Sequence, residues 1–253
     1  MQIEHTIGNP FFELSEVDST NNYAMRQAQA HLAEHGTTWF AQYQTAGKGQ
    51  RGKPWNATPG TNIMMSVLLT PTFLPIENQF LLNVAVALAC FDLFNVYTVG
   101  NTCIKWPNDI YWKDRKAGGI LIENVIQGKE WKYSIAGIGI NINQTFFPSE
   151  LPNPVSLKQI TGRTYDPVEL ARQLCKYLEH RWLQLCGTNK TSLLSDYCAY
   201  LYKKEQSVKF RKENVEFDAV VKSVNARGEL IVEKNEDGAE LALTFGSVKW
   251  IIR

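Results

Sequence analysis

Ala117-Gly118-Gly119-Ile120-Leu121-Ile122-Glu123-Asn124-Val125-Ile126-Gln127-Gly128-Lys129-Glu130-Trp131-Lys132-Tyr133-Ser134-Ile135-Ala136-Gly137-Ile138-Gly139-Ile140-Asn141-Ile142-Asn143 is the stretch that decides the fold. Two runs rich in β-branched residues, 117–127 and 130–143, flank Gly128-Lys129, a two-residue break of the kind that closes an antiparallel hairpin. Outward from this pair, on the N-terminal side, 110–112 and 103–105 are short strands. Before them, Pro75 to Tyr97 is a long central helix, and 62–69, 37–43 and 11–17 are further strands. Asp18-Ser19-Thr20 supplies N-cap chemistry for a helix over Asn21 to Glu34. On the C-terminal side, Pro167 to Leu185 repeats apolar residues at helical spacing with Pro167 in its first turn, and Ser192 to Tyr202 is another helix.

From Gln206 the texture changes. Segments 208–210, 216–224, 229–234 and 240–243 alternate apolar and polar residues between turns at Ala226-Arg227-Gly228 and Glu236-Asp237-Gly238. That pattern predicts a small antiparallel barrel. The fold class is therefore α+β: a mixed β-sheet domain (1–204) with helices on one side, and a small C-terminal SH3-like β-barrel (205–253).

The 253 residues carry 44% hydrophobic and 20% charged side chains, ordinary globular usage that excludes a disordered or low-complexity chain. Twenty-six basic residues against 25 acidic leave a net charge of +1, so no global field grips nucleic acid or an anionic membrane. The five cysteines are odd in number and form no C-x-x-C pair, which fits reduced thiols and a cytoplasmic location. Met1 to His5 has no basic or apolar signal-peptide region, and Phe80 to Tyr97 is interrupted by Asn83, Asp92 and Asn95, as in a buried helix.

Three segments carry candidate chemistry. Gly47-Lys48-Gly49-Gln50-Arg51-Gly52 satisfies G-x-G-x-x-G, but Lys53-Pro54-Trp55 follows it instead of a helix, and no carboxylate lies near 67–72. The dinucleotide reading fails on that context. What remains is a glycine-rich loop with three cations and one aromatic, suited to wrapping a phosphate or carboxylate, or else a solvated surface loop. In Lys105-Trp106-Pro107-Asn108-Asp109, with Lys116-Ala117-Gly118-Gly119 seven residues on, a Lys, an Asn and an Asp flank a rigid Trp-Pro step. They line a pocket with Lys116 as a point charge, or they sit on a charged hairpin. In Ile140-Asn141-Ile142-Asn143, strand alternation puts both amides on one face, suited to reading a purine edge, unless the strand merely ends in turn formers.

In this order, Ser19-Thr20-Asn21, Gln44 with Gly47 to Trp55, Lys105 to Asp109, Lys116 to Ile120 and Gly137 to Asn143 resemble the biotin protein ligases. The resemblance runs from about residue 11 to 157 and more weakly through the C-terminal segment. It implies an enzyme that converts biotin and Mg-ATP to biotinoyl-AMP and pyrophosphate, then passes biotin to a lysine of a biotin carboxyl carrier domain of acetyl-CoA carboxylase or a related carboxylase. It assigns Ser19, Thr20, Asn21, Gln44, Gly47, Lys48, Gly49, Gln50, Lys116 and Gly119 to biotin. Arg51, Lys53, Trp55, Lys105, Asn108, Lys116 and Asn141 go to ATP, and Lys116, Asp109 and Arg51 to catalysis, with no resident metal beyond the Mg²⁺ of Mg-ATP.

The family loop usually reads G-R-G-R-x-G-R-x-W. Here Lys48, Gln50 and Lys53 stand for three arginines, which loses bidentate forks and, at Gln50, the charge. The sequence starts directly at the domain of the resemblance, which implies the monofunctional type without an N-terminal DNA-binding domain. Neither nucleic acid nor membrane is an expected partner, and exposed strand edges near the loop allow a homodimer. The alternative of the same fold is a lipoate or octanoate ligase, whose glycine-rich signature normally ends in a His-Asp pair that this sequence lacks. The histidines, His5, His31, His35 and His180, fall outside the proposed site.

Overall fold

The computed structural model describes residues 6–151, 153–187 and 190–251. Its first part is a seven-stranded sheet built from β1 (Phe11–Leu14), β2 (Thr38–Ala41), β3 (Ile63–Leu69), β4 (Thr102–Lys105), β5 (Asp109–Trp112), β6 (Arg115–Gln127) and β7 (Glu130–Ile140). The order is β1-β2-β3-β7-β6-β5-β4, with β1 parallel to β2 and every other pair antiparallel. The β6–β7 hairpin turns at Gly128, whose φ is 62°, and stands near the centre of the sheet as its sequence requires.

Strand alternation sorts the helices. Ile63, Met65, Val67 and Leu69 face one side, where α2 (Phe80–Thr98), α4 (Pro167–Cys186) and α5 (Lys190–Ala199) build the main core. α2 is long and apolar enough to cross a membrane by length and composition alone, yet thirteen of its side chains are buried against the sheet, α4 and α5. Arg181 of α4 holds the three helices together, binding Asp92 of α2 through two nitrogens (2.7 and 3.0 Å) and Asp196 of α5 (3.0 Å). α1 (Thr20–Gln29) is the exception to helices on one side. It lies on the opposite face, where Ala24 and Ala28 pack with Trp39, Leu68 and Ile135. It is also shorter than its composition suggests, because the chain leaves helical geometry at Ala30 and turns left-handed at His31 (φ 57°).

α4 begins as expected, with Asp166 capping the N–H groups of Val168 and Glu169 and Pro167 in the first turn. The sequence reading passes over α3 (Leu157–Thr161), although Ser156 and Gln159 form a complete capping box around its start.

The C-terminal unit contains β8 (Ser207–Lys212), β9 (Val215–Val224), β10 (Leu230–Lys234), β11 (Glu240–Leu243) and β12 (Lys249–Ile251). They pair antiparallel in the order β11-β10-β9-β8-β12. Among the described residues β11 and β12 do not pair, so the expected barrel is an open, five-stranded sheet of SH3-like kind. One of its contacts with the larger unit is made at the β4–β5 turn. The indole N–H of Trp106 donates to Gly228 O (2.9 Å), and a Cβ on Gly228 would lie 2.6 Å from the Phe80 ring, so only glycine admits that contact.

Candidate active site

The α1 face of the large sheet carries a cavity of about 780 Å³. Its floor is the middle of β6 and β7, where Gly119 and Gly139 are register partners. The floor stays open where Gly119, Gly137 and Gly139 carry no side chain. A Cβ on Gly137 would lie 2.1 Å from Asn21 Oδ1, and one on Gly139 2.5 Å from Trp55 Cε2.

One end is built on the start of α1. Ser19 is the N-cap residue, but its hydroxyl makes no capping bond. The Thr20 N–H instead donates to Gln44 Oε1 (2.7 Å), which fixes the Gln44 amide at the base of the glycine loop. The Thr20 hydroxyl lies 3.1 Å from Gln44 Oε1 and 2.7 Å from Ser66 Oγ, and Ser66 Oγ lies 2.6 Å from Asn21 Oδ1. The Asn21 amide nitrogen donates to Glu123 Oε2 (2.7 Å) and Leu121 O (3.3 Å). Glu123 also pairs with Lys48 at 3.8 Å.

The roof is the glycine loop, folded back on itself as a narrow hairpin. Trp55 N donates to Gly47 O (2.8 Å) and Gly49 N to Lys53 O (2.7 Å), around a single turn at Gln50–Gly52 in which Arg51 is left-handed (φ 57°). Gly47 is the one expected site residue that does not face the cavity. A Cβ there would meet Trp55 O at 2.3 Å, so its part is to let the two arms of the loop close. Trp55 carries the roof down to the floor, its indole lying against Gly139 and Gly119. Gln50 donates to Ile120 O (3.4 Å), while Arg51 reaches Gly246 O of the C-terminal unit (3.5 Å).

The charged end comes from the β4–β5 turn and the start of β6. Lys105 and Asp109 are register partners on either side of the turn. Pro107 O between them accepts from Asn83 Nδ2 (2.7 Å) and the Tyr197 hydroxyl (2.8 Å), which ties the turn to α2 and α5. Lys116 Nζ donates to Asp109 Oδ1 at 2.7 Å and lies 5.9 Å from the Trp55 ring centroid. Its backbone is braced from the other side, N to Asn153 O and O from Val155 N, both 2.8 Å. Lys105 Nζ sits between the rings of Tyr111 (5.2 Å) and Trp250 (5.5 Å). Burial pushes its pKa below the ordinary lysine value, opposed by Asp109 and reinforced by Lys116 and Lys53. Among the described residues the wall carries six cationic side chains, Lys48, Arg51, Lys53, Lys105, Lys116 and Lys249, against one carboxylate, Asp109. A chain of net charge +1 thus concentrates positive potential in one cleft.

All the other residues expected in the site line this cavity, with two changes of part. Asn108 is buried and donates a short hydrogen bond to Ile120 O, so its amide clasps β6. Asn141 spends its amide hydrogens on Val155 O (3.1 Å) and Lys116 O (3.5 Å), leaving only its carbonyl oxygen for a ligand. Asn143 does not share its face. β7 ends at Ile140, and the Asn143 side chain is taken at both ends by the Tyr165 backbone (2.7 and 3.0 Å).

The sequence reading misses Ser66, Glu123, Phe147, Leu151 and the C-terminal contribution of Phe245, Val248 and Trp250. His31, His35 and His180 stay outside the cavity as expected, and His5 lies outside the described residues.

The sequence profile of the Biotin/lipoate A/B protein ligase family matches residues 14–141. The chain is 30% identical to the bifunctional ligase/repressor BirA of Bacillus subtilis over 224 residues, 87% of this chain and 69% of that protein. It is also 30% identical to the biotin–[acetyl-CoA-carboxylase] ligase of Mycobacterium tuberculosis over 190 residues, 74% and 68% of the two chains. The biotin protein ligase of Aquifex aeolicus, solved in complex with biotin and ATP, superposes with a TM-score of 0.79 at 24% identity, covering 95% of this chain and 98% of that one. With more than half its length matched by the profile and relatives aligned across most of both chains, this chain belongs to the biotin/lipoate A/B protein ligase family.

Proposed function

We propose that the protein joins biotin to ATP as biotinoyl-AMP and then transfers the biotinoyl group to a lysine of a biotin carboxyl carrier domain. The observation that carries the reading is the charge of the cavity, six cations to one carboxylate around a glycine floor, in a family with relatives named for biotin ligation. A carboxylate and a triphosphate can approach one another only where such a field offsets their repulsion.

Biotin's ureido head lies at the α1 end, among Ser19, Thr20 and Gln44, and its tail runs along Gly119 and Gly139. Its carboxylate attacks the α-phosphorus of ATP, forming the acyl–phosphate bond as the bond to pyrophosphate breaks. Lys116 contacts both anions, and Lys105, Arg51 and Lys53 face the phosphates. Mg²⁺ enters with its substrate as Mg-ATP, since the single wall carboxylate among the described residues is already engaged by Lys116. Trp55 covers the mixed anhydride and keeps water from it. In the second step the carrier lysine attacks the acyl carbon, AMP leaves, and Asp109 orients the amine and takes its proton. The carrier is of the acetyl-CoA carboxylase kind, the protein works in the cytoplasm, and the unit at 205–253 acts as a wall of the site.

A lipoate ligase shares the fold, but a dithiolane has no N–H groups for the polar end formed by Thr20 and Gln44. A site built for hydrogen bonds rejects an analogue lacking them by roughly 10⁴ or more. Incubation with Mg-ATP and either biotin or lipoate, with products read by mass spectrometry, tests the reading. A biotinoyl-adenylate is expected, and comparable adenylate yields from the two acids would overturn it.

A further inference from the structure

The polar chain at the α1 end has a direction, and its direction is set by a residue outside every motif. Glu123 is a carboxylate and can only accept, as can Leu121 O. Asn21 therefore turns its NH₂ toward both, at 2.7 and 3.3 Å, and its Oδ1 toward Ser66. Oδ1 has no hydrogen, so the Ser66 hydroxyl spends its proton there, at 2.6 Å. The Thr20 hydroxyl donates its own proton to Gln44 Oε1 (3.1 Å) and stands 2.7 Å from Ser66 Oγ as the second acceptor within reach of the Ser66 hydroxyl. The Thr20 proton is thus consumed inside the protein. Thr20, on the cavity wall, presents lone pairs alone, while Gln44 has committed its oxygen to the Thr20 N–H and keeps its NH₂ to offer. Ser66, Thr20 and Asn21 are all buried, so no solvent resets the pattern.

We infer that Glu123 is the positioning residue that fixes the hydrogen-bond polarity of the head-group site, making it an acceptor for a ligand N–H beside a donor for a ligand C=O. That pair of demands is met by a cyclic urea and not by a carbocycle, a thioether ring or a disulfide ring. The inference rests on the biotin reading and deepens it, because it says how selection of the ring is enforced from a carboxylate beyond the ring's reach. Without Glu123 the Asn21 amide is free to flip. Ser66 then accepts from Asn21 and commits its own proton to Thr20, occupying the Thr20 lone pair that would otherwise accept the ligand's N–H.

Glu123→Ala should raise the biotin KM of the adenylation step at least tenfold. It should leave the ATP KM and the kcat at saturating biotin within about twofold of wild type. Glu123→Gln keeps an acceptor for Asn21 but not the charge toward Lys48, so it should restore a biotin KM close to wild type. An unchanged KM in Glu123→Ala, or a Glu123→Gln variant as impaired as Glu123→Ala, overturns the inference. If Glu123→Ala melts at assay temperature, Glu123→Met, which keeps the side-chain volume and lacks the carboxylate, decides the matter. The same split supports the inference, and an unchanged biotin KM overturns it. Failure of the wild-type protein to adenylate biotin would overturn the functional reading itself, a result distinct from any of these.

Discussion

Replacing Lys116 by alanine tests the charged end of the cavity most directly. The substitution acts twice. It removes the ammonium proposed above to contact the biotin carboxylate and the α-phosphate, and it strips Asp109 of the partner held at 2.7 Å. Asp109, the only carboxylate on the wall among the described residues, is then an uncompensated anion directed at the two anions of the proposed reaction. One unit-charge interaction at about 4 Å is worth about 4 kcal/mol at an effective dielectric of 20. The Lys116 side chain is 32% exposed, so solvent screening brings this to about 3 kcal/mol or slightly more. Adenylation should therefore slow by roughly 10²–10³-fold. Because the backbone of Lys116 is held by Asn153 and Val155, the fold should persist with an unchanged melting temperature. Adding Asp109→Asn to Lys116→Ala should recover about tenfold of the adenylation rate, a non-additivity expected of groups in contact. Pyrophosphate release reports the first step, and labelling of a carrier from synthetic biotinoyl-AMP reports the second, which should suffer less from Lys116→Ala. A Lys116→Ala protein that adenylates biotin at the wild-type rate would refute the reasoning.

Three further perturbations follow from the geometry. A methyl group in Gly139→Ala would sit 2.5–2.8 Å from three indole atoms of Trp55, against an ordinary contact near 3.5–4.0 Å. The indole must leave the floor, so the KM for biotin and for ATP should both rise with little change in melting temperature; unaltered KM values would show that Trp55 does not close the site. Arg181→Ala should cost about 3–5 kcal/mol in urea unfolding, because it strands Asp92 among α2, α4 and α5. A loss below 1 kcal/mol would mean that the helices are held by apolar packing alone. His35 accepts the Thr70 N–H at Nδ1, stacks 4.6 Å from Trp182, and has its pKa lowered by burial against a smaller opposing pull from Glu179. A folded pKa below the unfolded value of about 6.5 means that the unfolded chain binds more protons in that window. His35 therefore contributes stability that is present above pH 6.5 and lost as the pH falls below it. Urea midpoints at pH 7.5 and 5.5 should differ more for wild type than for His35→Gln, and parallel shifts would exclude His35 as the cause.

The parts of this protein legible in its sequence are those written in contiguous residues. The β6–β7 hairpin announces itself through two apolar runs and Gly128, and α4 through its Asp166-Pro167 start. The glycine loop and the Lys105 to Asp109 turn are local motifs, so their meeting in one cavity could be anticipated from resemblance. Ser66 and Glu123 could not. Each is one polar residue in an apolar strand, and the bonds that matter reach 45 and 102 residues along the chain. Trp250 and Phe245 are invisible for a related reason: which side of a small sheet meets the cavity depends on long-range contacts such as Trp106 with Gly228 and Tyr202 with Trp250, which no periodicity encodes. The misreading of Asn143 came from extending a two-residue period past Ile140, where the chain stops pairing as a strand and the Tyr165 backbone captures the side chain. The open C-terminal sheet was read as closed because alternation fixes which residues face inward and says nothing about whether the first and last strands meet.

The glycine floor sets a limit on how this protein could be improved. Gly119, Gly137 and Gly139 lie in the two longest strands, where a glycine is worth roughly 0.5–1 kcal/mol less than alanine in backbone entropy alone. β-branched residues at these positions would suit the strands and stiffen them, and selection for thermal stability alone would be drawn toward them. Each such gain would fill the space now held by Asn21, by Trp55, or by the Lys116–Asp109 pair. The middle of the sheet is thus less stable than its own geometry allows, and the deficit coincides with the floor of the cavity. Peptide backbone also presents the same groups whatever the sequence, so a change of ligand preference has to be made in the walls and roof and cannot be made in the floor.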